Sequence, residues 1–129
     1  MITEDYVRFE TAKLLKNKGF DENTPVNYFI GDDKPRGCVV GEMIYHKRAE
    51  EDTHLIACPT IQIARKWLEK EKKLYVNVWA DPKDAENNDF RIVHRLQVFD
   101  GKTNYGTFEF PSHEKACEAG IRFCLENLI

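Results

Sequence analysis

Apolar residues recur at helical spacing in three stretches of the chain, and at alternate positions in several stretches between them. In residues 3–18, Val7, Thr11, Leu14 and Leu15 form one stripe, widened by Phe9 and Ala12, and that spacing predicts an amphipathic helix. Thr3 suits its N-cap, with Ile2 and Val7 at the hydrophobic-staple positions. Glu4 and Asp5 in the first turn and Lys16 and Lys18 in the last suit the helix dipole. Gly19 followed by Phe20 reads as a left-handed helix end that folds an apolar residue back onto the last turn. Residues 26–30 and 37–45 are β-rich, and the turn formers Gly31-Asp32-Asp33-Lys34-Pro35-Arg36 between them predict a hairpin. The charged stretch 46–53 is expected as a loop, and 54–57 as a short third strand.

Pro59 and Thr60 open a second predicted helix over residues 60–73, with Ile61, Ala64, Trp67 and Leu68 at helical spacing. Residues 74–80 alternate as a strand, with Leu74, Val76, Val78 and Ala80 on one face and Tyr75, Asn77 and Trp79 on the other. Residues 81–89 are expected as a loop. In residues 90–99, Phe90, Ile92, His94, Leu96 and Val98 share a face, and Asp100-Gly101 signals a hairpin into a strand ending at Phe110. A plain two-residue turn sets Phe108 opposite Val93 and Phe110 opposite Arg91. A three-residue loop with Gly101 as the bulge sets Phe108 opposite Ile92 and Phe110 opposite Phe90. The bulged form gathers the apolar residues on one face and is the expected register. Ser112, after Pro111, caps a last helix whose core stripe is Cys117, Ile121, Cys124 and Leu128, supported by Ala116, Gly120 and Leu125. Gly120 in a helix interior implies close packing against the sheet.

The order is therefore α-β-β-(β)-α-β-β-β-α: an α+β fold with an antiparallel sheet and helices mainly on one face. At 129 residues it is expected as a single domain spanning 1–129. A 42% hydrophobic fraction with only 7 Gly and 5 Pro excludes a disordered or fibrous chain. No run approaches the roughly 18 apolar residues of a membrane span, and the opening MITEDYVRFE has acids where a signal peptide needs positive charge. A cytoplasmic protein with no membrane partner is the expectation.

Three stretches carry a resemblance. ITEDYVRFETAKLLKNKGFDE at the start, PTIQIARKWLEKEKKLYV in the middle and EKACEAGIRFCLENLI at the end resemble a group of small, functionally uncharacterised proteins from Bacteroidetes genomes and their phages or mobile elements. About half of the chain takes part, mostly as helix stripes and caps. The resemblance implies a source and a domain, and no active site.

Candidate chemistry is sparse. Cys38, Cys58, Cys117 and Cys124 contain no C-x-x-C pair, which excludes a zinc ribbon or thioredoxin motif. Cys117 and Cys124 lie two helical turns apart, about 10 Å, beyond disulfide reach. His94 falls on the apolar face of its strand, as a core histidine with one hydrogen-bonded nitrogen. His113 and Cys117, four apart on a helix, have the spacing of two metal ligands but lack a third. His46, Glu50, Glu51, Asp52 and His54 form an acidic loop. Ser112, the one serine, is accounted for as a cap, and Cys38 or Cys58 with His54 or His94 has no reason in the sequence to pair as nucleophile and base. The loop at 31–37 lacks the P-loop and dinucleotide fingerprints. No cofactor, metal ligand set or catalytic residue is expected, and an enzyme with an unrecognised site is the last of three readings.

Two surface features remain. Tyr75 and Trp79 share a strand face, and Arg91 and Arg95 share the corresponding face of the next strand, a pattern able to stack bases and hold phosphates. Arg65, Lys66, Lys70, Lys72 and Lys73 against Glu69 and Glu71 make a basic helix, followed by an acidic loop, within a chain of net charge −3. From Thr60 onward the order α-β-β-β-α is also that of double-stranded RNA-binding domains. Their basic cluster at the last helix is replaced here by Ser112-His113-Glu114-Lys115. The leading expectation is a small non-enzymatic interaction protein that binds a protein partner or itself through the sheet's open face or edge. A nucleic-acid-binding module using the basic helix and the aromatic and arginine face is the alternative.

Overall fold

The computed structural model describes residues 5–22, 24, 26–29, 36–37, 55–83 and 91–129. The chain divides into two compact units, residues 1–64 with Ile129, and residues 65–128. Among the described residues its elements are α1 (Phe9–Asn17), β1 (Val26–Phe29), β2 (Arg36–Gly37), β3 (Leu55–Ala57), α2 (Ile61–Trp67) with a π-helical turn Leu68–Lys72, β4 (Tyr75–Lys83), β5 (Arg91–Phe99), β6 (Asn104–Phe110) and α3 (His113–Asn127). The α+β class is the one read from the sequence, and the described elements follow the expected order. The strands form two antiparallel three-stranded sheets, ordered β2-β1-β3 and β4-β5-β6.

In the first unit, α1 begins at Phe9, not near Thr3. Thr3 itself, with the staple residue Ile2, lies outside the described residues. The reason is a competing ladder. Tyr6 pairs antiparallel with Thr60, the Val7 amide donates to the Pro59 carbonyl at 3.1 Å, and the Ile61 amide donates to the Asp5 carbonyl at 2.9 Å. Residues 5–7 are therefore extended, and Val7 becomes a core residue ahead of the helix. Its carbonyl accepts the Tyr28 hydroxyl at 2.7 Å and the Cys58 thiol at 3.6 Å. The helix end is the one expected. Gly19 has φ +93°, its amide donates to the Lys16 carbonyl, and the Phe20 amide donates to Leu15 at 2.9 Å, which is a Schellman closure with Phe20 buried beneath it.

β1 is the centre of the first sheet, paired with β2 (Val26 opposite Gly37) and with β3 (Tyr28 opposite Ile56). Tyr28 meets Phe9 of α1 edge-on at 5.3 Å. Asn27, on the opposite face, is buried, and neither amide atom has a partner among the described residues. The expected turn at 31–35, Cys38, and the acidic loop of His46, Glu50, Glu51, Asp52 and His54 lie outside the described residues.

In the second unit, α3 lies over the β4-β5-β6 sheet. Ser112 caps it as expected, accepting the Lys115 amide at 3.2 Å. Cys117, Ile121, Cys124 and Leu125 are fully buried. A Cβ on Gly120 would stand 2.5 Å from Val76 Cγ1 and 2.7 Å from Leu96 Cδ1, so the glycine marks the line where helix and sheet touch. Two expectations are corrected here. The helix predicted over 60–73 keeps α geometry only to Trp67, then widens to a π turn and closes at Lys73, φ +57°, whose neighbour Leu74 donates its amide to Leu68 at 3.1 Å. The strand expected to end at Ala80 runs on through Pro82 to Lys83, which β4 tolerates because it is an edge strand.

The β5–β6 register is a further correction. Phe108 stands opposite Leu96 and Phe110 opposite His94, with Val98 opposite Tyr105. Asp100 sets the loop. Its Oδ1 accepts the amides of Lys102 (2.9 Å) and Thr103 (2.7 Å), and its Oδ2 accepts the Tyr105 hydroxyl (2.8 Å). The loop thus spans residues 100–103, and the bulge lies at Gly106, φ +56°, across from the step between Leu96 and Val98. The apolar residues still gather on one face, by a different register.

Candidate interaction surface on the second sheet

The pairing of β4 with β5 sets Val76, Val78 and Ala80 opposite Val98, Leu96 and His94. That is the face α3 covers, since His113 approaches His94 and Phe123 approaches Tyr105, with ring centroids 6.2 and 5.6 Å apart. The other face carries Trp79 opposite Arg95, Tyr75 opposite Phe99, and Lys83 opposite Arg91. The four residues singled out from the sequence, Tyr75, Trp79, Arg91 and Arg95, do share one face. Trp79 is 40% exposed, and Tyr75 leans on Phe99 at 6.2 Å.

Two carboxylates organise this face, Glu109 and the Asp81 expected in the acidic loop. Arg95 Nε donates to Asp81 Oδ2 at 2.5 Å, and its Nη1 lies 3.1 Å from Glu109 Oε1. Lys83 Nζ donates to Glu109 Oε2 at 2.9 Å. The result is a chain of alternating charges, Lys83–Glu109–Arg95–Asp81, running across all three strands. The hydrogen bond from Lys83, then the charge of Arg95, holds the Glu109 carboxyl below the usual carboxylate range, and the hydrogen bond to Asp81 raises Arg95 further. Such half-exposed pairs add little to stability, but they fix where the side chains point. Asp81 was missed because its DPK stretch reads as a loop. The signal that finds it is the i, i+2 spacing from Trp79, which places both on one face if the strand continues.

The basic helix residues are not brought together as one patch. The Arg65 guanidinium turns inward, donating to the Val76 carbonyl at 2.6 Å and reaching Cys117 Sγ at 3.6 Å. Lys72 lies over the Trp67 ring at 5.5 Å. Lys66, Lys70 and Lys73 are exposed, interspersed with Glu69 and Glu71. Arg65 therefore joins helix to strand, a role its position beside Ala64 does not announce.

Under the sheet, Cys117 touches the His113 ring, Sγ to Nδ1 3.6 Å, and His94 keeps a buried Nδ1 that has no partner among the described residues. Burial pushes the Cys117 thiol up against the opposing pull of Arg65, and burial pushes Cys124 up to about 12. Both stay protonated at neutral pH, as core thiols rather than nucleophiles. Among the described residues no three His, Cys, Asp or Glu side chains are grouped to hold a metal ion, and no described helix is long and apolar enough to cross a membrane. No known family, curated protein or solved structure matches this chain.

Proposed function

We propose that the chain is a small non-enzymatic interaction protein that binds a protein partner, in the first instance a second copy of itself, through the Trp79 face of the second sheet. The observation that carries this reading is an exposed tryptophan set beside an arginine already held between two carboxylates. Trp and Arg are the residue types on which binding energy concentrates, above all where they are held in place before contact. Because Lys83, Glu109, Arg95 and Asp81 neutralise one another beside Trp79, and Arg91 at the sheet end is the face's charge without a partner among the described residues, two such faces meet around Trp79 with little like-charge repulsion, and a copy of this chain is an acceptable partner. The same pairing weakens the nucleic-acid reading, since Arg95 and Lys83 reach a phosphate only by giving up a carboxylate.

Sedimentation velocity over a range of concentrations tests it. Self-association that Trp79→Ser abolishes supports the reading; a wild type that stays monomeric at every concentration overturns it. A single-stranded oligonucleotide in the same cell at low salt separates the alternative. Binding that falls steeply with salt assigns the face to nucleic acid.

A further inference from the structure

We propose that the end of the second sheet holds a site for a short extended peptide carrying a carboxylate side chain, which adds as a strand beside the start of β5. β6 pairs with β5 only as far as Phe110 opposite His94. Pro111 follows with no amide hydrogen, and Ser112 turns into the cap of α3. Residues 91–93 of β5 pair with 81–83 of β4 on one side, and among the described residues no strand meets them on the other. An open stretch of main chain beside a side-chain pocket is the arrangement that strand addition uses.

A recess of about 310 Å³ opens at this place, with Ile92, Phe110 and Pro111 as apolar walls and Lys83, Arg91 and Glu109 at its polar rim. Ile92 is 51% exposed, a large aliphatic side chain left to water. The rim charges are not equivalent. Glu109 is taken by Lys83 at 2.9 Å and Arg95 at 3.1 Å, while Arg91 is exposed and has no partner among the described residues. Among the described residues, the unspent charge at the mouth of this apolar recess is a guanidinium, so the ligand it complements carries a carboxylate next to apolar side chains. The alternation of a strand, apolar then acidic, presents that pair in register with the recess.

The inference rests on the reading of the chain as a protein-binding module, and its experiment is separate from the sedimentation test of that reading. Fluorescence anisotropy of the labelled peptide Ac-Val-Asp-Val-Glu-Val-NH2 with the full chain is expected to show saturable binding. Ac-Val-Lys-Val-Lys-Val-NH2 should bind about tenfold more weakly or less, and Arg91→Glu should weaken the acidic peptide about tenfold. Methylating successive peptide amides one at a time should abolish binding at alternate positions only. Equal binding of acidic and basic peptides, indifference to Arg91→Glu and to Arg91→Gln, or no binding at millimolar peptide each overturns the proposal. Displacement by acetate or glutarate at concentrations equal to the peptide's shows a carboxylate site without strand addition, and overturns it as well.

Discussion

A methyl group on Gly120 has nowhere to go: Val76 Cγ1 and Leu96 Cδ1 stand 2.5 and 2.7 Å from its ideal position, and Val76, β-branched on a strand, has little freedom to yield. Gly120→Ala would gain roughly 1 kcal/mol of helix propensity, but overpacking of this kind costs about 1–3 kcal/mol. The variant should therefore be destabilised, and urea denaturation reads the sign directly. Asp100 gives a second residue-scale prediction. The Thr103 and Lys102 amides, then the Tyr105 hydroxyl, hold its carboxyl below the ordinary value, and Lys83 with Arg95 does the same for Glu109. Groups lowered on folding contribute their stability above the unfolded value, roughly pH 4, and lose it as pH falls through the lower folded one. Stability should thus be level from neutrality down to about pH 5 and decline below about pH 4. Asp100→Asn should make that decline shallower, as denaturation at stepped pH will show.

At the scale of elements, the turn that ends the π segment is the most testable. Lys73 sits at φ +57°, where an L side chain costs roughly 1–2 kcal/mol and glycine costs far less. Lys73→Gly should be neutral to stabilising by up to about 1 kcal/mol, whereas Lys73→Val should lose stability; thermal melts of the pair decide it. What was legible in the sequence follows the range of the interactions involved. The α3 cap, its stripe through Cys117, Ile121 and Cys124 and the Gly19–Phe20 closure of α1 are local and as read, while Leu128, expected to extend that stripe, is the half-buried C-cap. The start of α1 was misplaced because a good local signal loses to a ladder with residues 59–61, over fifty positions away. The register of β6 was misread because one aspartate side chain lengthens the loop. Gly106, whose presence inside a strand is itself a bulge signal, then restores the face. The candidate face was legible as far as Tyr75, Trp79, Arg91 and Arg95. Its organising carboxylates were not, because pairing Arg95 with Asp81 and Glu109 depends on strand registers that only the fold supplies.

For the whole molecule, the average charge of −3 describes neither of its charged features. The basic helix is divided by Arg65 turning inward and Lys72 lying on Trp67, and on the sheet face Lys83, Glu109, Arg95 and Asp81 neutralise one another, leaving Arg91 apart. Among the described residues of the second unit three large apolar side chains are exposed, Trp79 on the face away from α3 and Ile92 and Phe108 on the other. Exposed apolar groups beside a buried helix–sheet core are what the proposed self-association would cover. The most direct measurement of that account is sedimentation velocity of the wild type beside Trp79→Ser, over about a hundredfold range of concentration. The wild-type sedimentation coefficient should rise with concentration while that of the variant stays at the monomer value. A wild type that sediments as a monomer throughout, or a variant that associates as the wild type does, would contradict it.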